Sequence, residues 1–432
     1  MGEPVATTTT GHSRPAPIVA EAAEGSGGQP PSSRGFAARV SLGKVFAPVS
    51  SEFLLIASTA LLLTGFGLVM VLSATMAASL AAGEGPFETV MKQAVFAVLG
   101  IPLMFIASRM PVAFWKKIAW PALILAIAFQ LLVFVPGLGV TNDGNQNWIQ
   151  IGGLQAQPSE FLKLTLALWL GYVMFRKQSL LSSWKHVFIP VVPVGGLVIG
   201  IVAVGSEDLG TGLILMAILL GCLFFSGVKL RLFLIPAALV VFAAAYFAVT
   251  SPNRMARIMS SLVNFDSMAC YNAAEGDCYQ AVHGVWGLAG GGVFGLGLGN
   301  SREKYGWLPA KANDYIFSIL GEELGLVGCL TVLVLFTLLA IGVFRIIRKT
   351  DDPFVRIASG GIIVWIIGQA IVNIGVVLRL LPVLGVPLPF MSQGGTSLMS
   401  VLIACGVLLS FARTLPVGAM SPSPADARPR RR

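Results

Sequence analysis

The segment LPAKANDYIFSILGEELG, residues 308–325, sets Asp314, Glu322 and Glu323 at the mouth of an apolar run, in a chain where only 11% of residues are charged. Taking a carboxylate out of water is costly, so acids in such a place are either paired or there for chemistry. A carboxylate partly desolvated at an apolar border has its pKa pushed toward neutrality and can take a proton from a hydroxyl. Asp314 falls at or just before the expected helix start, where its other use is to cap free amides and meet the positive end of the helix dipole. Glu322 and Glu323 lie about two turns deeper. They stand beside Gly321 and Gly325, whose GxxxG spacing permits close helix contact.

Three further features carry polar chemistry. Glu160 and Lys163, spaced i, i+3, share a helix face. They make either a structural ion pair or an anion site in which Glu160 holds Lys163. Trp148, in TNDGNQNWIQIGG, is either an interfacial aromatic or a platform under a sugar ring. The stretch LLPVLGVPLPFMSQGGTSL, 380–398, holds Pro382, Pro387 and Pro389, then Ser392, Gly394 and Gly395. A continuous helix is excluded there, and irregular backbone at membrane depth persists only where it lines a cavity or is covered by protein. Arg379 at its entrance and Lys311 before Asp314 add cations. These segments read as walls of one polar cleft.

The chain's 55% hydrophobic content and mean hydropathy of +0.81 exclude a soluble globule. The chain reads as an all-α polytopic membrane protein with ten spans, near 53–76, 88–107, 118–136, 159–175, 187–204, 209–226, 232–249, 315–344, 357–379 and 397–414. Lysine and arginine crowd alternate connections, which predicts both termini in the cytoplasm. The net charge of +9 is then a topology signal and a contact with anionic membrane lipid, and calls for no nucleic acid. Residues 1–48 and 415–432 read as disordered cytoplasmic tails around a membrane domain, 49–414, and no cleavable signal peptide is evident.

A long extracytoplasmic loop, 250–313, is expected between the seventh and eighth spans. It contains AVHGVWGLAGGGVFGLGLGN, with eight glycines from Gly284 to Gly299. That stretch is too glycine-broken for a span and suits a half-inserted or interfacial element, its glycines admitting close backbone approach or helix packing. His283 within it is a possible general base. Cys270 and Cys278 in the same loop are disulfide candidates, while Cys222, Cys329 and Cys405 fall in spans.

QPSEFLK (157–163), GLGNSREK (297–304), LP with NDYIFSILGEELG (308–309 and 313–325) and LPVLGVPLPFMSQGGTSL (381–398) occur in this order. Over about residues 50–414 the chain resembles the SEDS family of bacterial membrane proteins, and GNSREK is more similar to its division branch than to its elongation branch. The resemblance implies a glycosyltransferase that polymerises lipid II into peptidoglycan in the bacterial cytoplasmic membrane, at the septum. It also implies a class B penicillin-binding protein (a transpeptidase) and other divisome membrane proteins as partners. Asp314 matches the family's essential acid, and Glu160, Lys163 and Trp148 match its other motif positions. With Lys311, Arg379, Ser392, Gly394 and Gly395, these last three form the candidate substrate-binding set.

Where the family reads PEAHTDF this chain has PAKANDY, so Ala310 and Ala312 replace a glutamate and a histidine. Gln393 replaces a tyrosine, and Asn147 an arginine. The chemistry implied needs one base, Asp314, because pyrophosphate leaves without protonation; it also needs positive charge on the pyrophosphate. No cluster with metal-ligand spacing is visible and no tightly bound cofactor is expected, though Mg²⁺ or Mn²⁺ could ride on the pyrophosphate. A lipid II flippase or secondary transporter, and a non-catalytic divisome scaffold, are the rival readings.

Overall fold

The computed structural model describes residues 50–416 except 84, 143–144, 153, 251–254, 256–257 and 260–277. Apolar runs form helices because backbone amides facing lipid must be paired within their own segment. The helices are α1 (Ser51–Ala81), α2 (Glu88–Ala107), α3 (Val112–Leu131), α4 (Ser159–Arg176), α5 (Trp184–Gly200) and α6 (Leu209–Phe225). They continue with α7 (Leu230–Thr250), α8 (Tyr279–Gly290), α9 (Ile316–Lys349), α10 (Pro353–Val377) and α11 (Gly395–Ala412). Each expected span falls on a helix. Among the described residues seven helices are long and apolar enough to cross a membrane, and Leu209–Phe225 and Leu230–Phe242 are shorter apolar ones. α4 has the length but carries Glu160, Lys163 and Arg176.

The main packings are α2 on α11, α1 on α9, and α10 on both α4 and α6. Trp169, Trp365, Leu63 and Met70 are buried between them, while Leu125, Phe242 and Leu330 face outward, as a lipid-facing surface requires. One end of the bundle is tied by side chains. Ser50 Oγ donates to Ala412 O at 3.0 Å, Lys116 meets Asp352 at 2.6 Å, and Lys349 meets Glu52 at 2.6 Å.

The opposite end carries what the sequence reading missed, a three-stranded antiparallel sheet of β1 (Gly139–Asn142), β2 (Asn145–Ile151) and β3 (Leu154–Ala156). Val140 pairs with Trp148, and Gln150 with Gln155. Alternation along β2 sends Asn147 and Trp148 to opposite faces.

The eighth expected span is not one continuous helix. Gly325 (φ 66°, ψ −162°) breaks α9 into a half-helix, Ile316–Leu324, and a longer arm beginning at Leu326. A broken helix orphans carbonyls and amides that must find partners elsewhere. The glycine-rich run supplies them: Leu296 N and Gly297 N donate to Glu322 O and Glu323 O at 2.9 and 3.0 Å, while Leu326 N and Val327 N donate to Gly292 O and Val293 O at 3.0 and 3.2 Å. A Cβ on Gly291 would sit 1.9 Å from Gly321 O, so the two backbones approach too closely for any side chain. The expected glycine-broken element is therefore a backbone splice into α9. Cys278 is in a disulfide; Cys270, its expected partner, lies outside the described residues.

Candidate active site

Asp314 lies half-buried at the hairpin end, just ahead of α9. The strap that carries it is strained, since Ala310 has φ 50°, a left-handed conformation that costs a non-glycine residue. Two hydrogen bonds fix the strap directly to the 380–394 segment, and Asn373 of α10 bridges the two with two more. Ser392 Oγ donates to Asn313 O at 2.5 Å, Gln393 N donates to Ala312 O at 2.8 Å, and Asn373 Nδ2 donates to both Asp314 O (2.7 Å) and Val386 O (2.8 Å). Asp314 Oδ2 lies 3.9 Å from where a Cβ on Gly385 would stand, which places the acid over the turn at Gly385. Tyr315, immediately after, is fully buried and within range of the charges of both Asp314 and Arg379. Arg379 itself is left-handed, φ 59°, at the end of α10.

A polar cleft of about 410 Å³ opens beside this strap. Its walls come from all three segments singled out in the sequence: Trp148 on β2, Asn313 on the strap, and Gln393, Gly394 and Gly395 at the start of α11. The fourth wall, the start of α2 with Thr89, Lys92 and Gln93, was not anticipated. Gln93 is buried there, accepting from Gly394 N at 3.0 Å and donating to Ser392 O at 3.3 Å. Lys92 is exposed and meets Glu88 at 3.1 Å. Its signal was available, a lysine and glutamine at the start of the second span, but one cation beside a membrane helix resembles any interfacial anchor. Phe96 and Gln155 line both this cleft and an apolar groove of about 680 Å³, walled by Leu125 and Phe129 of α3, Phe161 of α4 and Met399 of α11.

Glu160 and Lys163 do not reach the cleft. Lys163 is 1% exposed, with Nζ 2.8 Å from Glu160 Oε1 and 2.9 Å from Gln369 Oε1. Gln369 in turn donates to Pro387 O at 2.8 Å and accepts from Trp365 Nε1 at 2.9 Å. The pair is thus a buried strut whose outer end is a carbonyl of the loop beneath Asp314. Lys311 is half-buried, bonded through Nζ to the carbonyl of Lys304; burial, reinforced by the charge of Lys304, holds its pKa below the usual lysine value. Asn147 donates to Asp208 Oδ2 at 2.7 Å, and Asp208 also caps α6 by accepting from Thr211 N at 2.9 Å. That bond anchors the strand that presents Trp148.

Glu322 and Glu323 are clamps. Glu322 accepts from Ser301 Oγ (2.5 Å), Arg302 N (2.8 Å) and Glu303 N (3.3 Å). Glu323 accepts from Ser73 Oγ at 2.7 Å and pairs with Lys304 at 2.9 Å. His283 sits outside the cleft, Nδ1 2.7 Å from Glu303 Oε2 and stacked near Trp307. Among the described residues no group of three or more His, Cys, Asp or Glu could hold a metal ion.

The fold and site define a polytopic helical membrane protein with a half-buried acid one residue from the wall of a polar cleft, and an apolar groove that shares Phe96 and Gln155 with that cleft. The family model of the FtsW, RodA and SpoVE cell cycle proteins matches residues 53–415, and the chain belongs to that family. It is 37% identical over 368 residues to the "Probable peptidoglycan glycosyltransferase FtsW" of Mycobacterium tuberculosis, covering 85% of this chain and 68% of the relative. It is 35% identical to the "Stage V sporulation protein E" of Bacillus subtilis, covering 84% and 97%. In fold it is similar to the rod shape determining protein RodA of Thermus thermophilus (TM-score 0.61, 23% identity, 86% and 100% covered). It is likewise similar to a chain described under "Structural coordination of polymerization and crosslinking by a peptidoglycan synthase complex" (TM-score 0.65, 24% identity, 83% and 96% covered).

Proposed function

We propose that this chain is a peptidoglycan glycosyltransferase that polymerises lipid II, with Asp314 as its general base. The observation that carries the reading is that the polar cleft beside the Asp314 strap and the apolar groove are neighbours, sharing Phe96 and Gln155 as walls. A substrate with a saccharide head and a polyprenyl tail needs both, side by side. The hairpin end is then the extracytoplasmic face, and both termini are cytoplasmic, in keeping with the basic residues at the other end.

In the reaction, the oxygen of a sugar 4-hydroxyl bonds to the anomeric carbon of a second lipid-linked sugar. The bond from that carbon to the pyrophosphate oxygen breaks, its electron pair leaves with the pyrophosphate, and the hydroxyl proton passes to the Asp314 carboxylate. Trp148 offers a stacking face and Gly394 lets backbone come close to the substrate, while the bare Gly395 makes room for the Phe96 ring, 2.1 Å from where a Cβ would stand. Lys92 is the charged side chain lining the cleft and takes the pyrophosphate there. Lys163 acts one step removed, by bracing the loop under Asp314. Mg²⁺ or Mn²⁺ arriving with the pyrophosphate would add positive charge. The sequence likeness to division-type relatives supports a septal role with a class B penicillin-binding protein as partner.

The test is polymerisation of labelled lipid II by the protein co-purified with its transpeptidase partner. Wild type makes glycan chains, and Asp314→Ala makes none while melting at the wild-type temperature. Polymer from Asp314→Ala would remove it as the base. Movement of lipid II across vesicles without polymer would replace this reading with a flippase, and neither activity would leave a scaffold.

A further inference from the structure

At the end of the bundle opposite the cleft, two arginines close off neighbouring helices, Arg109 just past α2 and Arg413 just past α11. α11 lies tight on α2 there. A Cβ on Gly406 would stand 2.5 Å from Met104 O, and Ser410 Oγ donates to Met110 O at 2.9 Å while accepting from Trp115 Nε1 at 3.0 Å. Ser410 and Arg413, spaced i, i+3, share a side of the helix, so the bond from Ser410 to the residue after Arg109 draws the two arginines together. Arg413 is within range of the charge of Arg109, and its guanidinium lies 4.5 Å from the centre of the Phe53 ring at the start of α1.

Like charges held together call for a counter-charge. Glu52 and Asp352 at this end are already used, by Lys349 and Lys116, each at 2.6 Å. Among the described residues no acid pairs with Arg109 or Arg413, and Arg413 Nε is buried with no hydrogen-bond partner. Each arginine meets the negative end of its own helix, worth roughly half a charge, so the pair keeps about one positive charge unanswered. Beneath it the surface is apolar. Ile106 and Phe105, about one turn deeper than Arg109, are 54% and 38% exposed, and α1 runs inward from Leu54, 58% exposed, to exposed Leu61 and Leu62. Positive charge at the membrane border with apolar side chains below it is the order in which a lipid of that leaflet meets the protein.

We propose that Arg109 and Arg413 form a site for the phosphate of an anionic glycerophospholipid, whose acyl chains lie against Phe105, Ile106 and Leu54. The leaflet is the one at this end, cytoplasmic in the orientation given above. Guanidinium forks match phosphate oxygens in pairs. A soluble phosphate would use the same forks but leave the apolar positions uncovered, which is why the lipid is the better occupant. The site acts at a distance from the cleft yet on the same helices, since α2 carries Lys92 and Gln93 and α11 carries Gly395 at their far ends. A bound lipid clamps together the two helices that wall the cleft.

The test titrates the full chain in detergent with phosphatidylglycerol and follows its melting temperature. Arg109→Gln/Arg413→Gln is expected to raise the phosphatidylglycerol concentration giving half-maximal stabilisation at least tenfold. Without lipid it should melt no lower than wild type, because a repulsion has gone. Arg109→Gln alone, at an exposed position, should shift the titration the same way by a smaller factor, and it serves where the double variant does not fold. Arg345→Gln/Arg348→Gln, exposed at the end of α9, should leave the titration unchanged. Phosphatidylcholine should act alike on wild type and variants, and inorganic phosphate should not stabilise. A titration unmoved by the Arg109 and Arg413 variants, or moved equally by the α9 pair, overturns the site. The same variant-dependent gain from phosphatidylcholine would overturn the choice of an anionic lipid, and from inorganic phosphate the choice of a lipid at all.

Discussion

Ser392 Oγ donates to the carbonyl oxygen of Asn313 at 2.5 Å while accepting from Leu388 N at 2.7 Å, so one hydroxyl fastens the residue before Asp314 to the loop before α11. Ser392→Ala leaves both backbone groups without this partner in a mostly buried place, a loss of about 1–3 kcal/mol of local stability. A base displaced by a fraction of an ångström loses rate steeply. The expected outcome is a fall in limiting polymerisation rate of roughly ten- to a hundredfold. Steady-state rates against lipid II concentration check it, and the concentration for half-maximal rate should move much less.

Lys304 is 3% exposed and its charge is met by Glu323. Glu323→Ala strands that ammonium, which should cost about 3–5 kcal/mol. Thermal unfolding in nanodiscs measures it. The double variant Glu323→Ala/Lys304→Met should recover most of the loss, which a defect in α9 alone would not allow.

The splice at Gly325 predicts an unusual order among glycine variants. Gly292 has φ +53° but open space around it, so Gly292→Ala should cost only the left-handed strain, about 1 kcal/mol. Gly291 has ordinary backbone, φ −76°, yet its added methyl would meet Gly321 O at 1.9 Å. Gly291→Ala should therefore be worse, by a further 1–3 kcal/mol or so. Comparison of the two melting temperatures decides the matter, and the reverse order would argue against a tight backbone splice.

Burial raises the pKa of Glu303 above its ordinary value of 4.5, with the bond from His283 pulling the other way and the charge of nearby Glu322 adding to the rise. The folded protein thus holds this proton more tightly than the unfolded chain. Its contribution to stability is fully present below 4.5 and is lost as pH rises through the raised folded value. Wild type should lose melting temperature over that window, and Glu303→Gln should show a flatter profile. Parallel profiles would mean that Glu303 titrates alike in both states.

The order of the spans and the motif residues of the cleft were legible because hydropathy and polar punctuation at membrane ends follow directly from the bilayer as solvent. Trp148, Gly394 and Gly395 line the cleft as a shared wall would require. Other parts left no periodic trace. The strands at 139–156 are short, polar and interrupted by glycine. The splice is made of backbone bonds between 292–297 and 322–327, which no side-chain pattern records. Lys163 and Lys92 show the limit most clearly. The spacing of Glu160 and Lys163 allowed both a structural ion pair and an anion site, and it is the facing Gln369 on α10 that holds Lys163 inward.

The break at Gly325 separates two demands that a continuous helix would couple. One residue inserted into the Leu326–Lys349 arm would rotate everything beyond it by about 100°. The azimuth of Asp314 would not change, because the half-helix before the break is held sideways by Leu296 and Gly297. Membranes of different thickness can thus be matched by lengthening or shortening the lower arm without re-aiming the base.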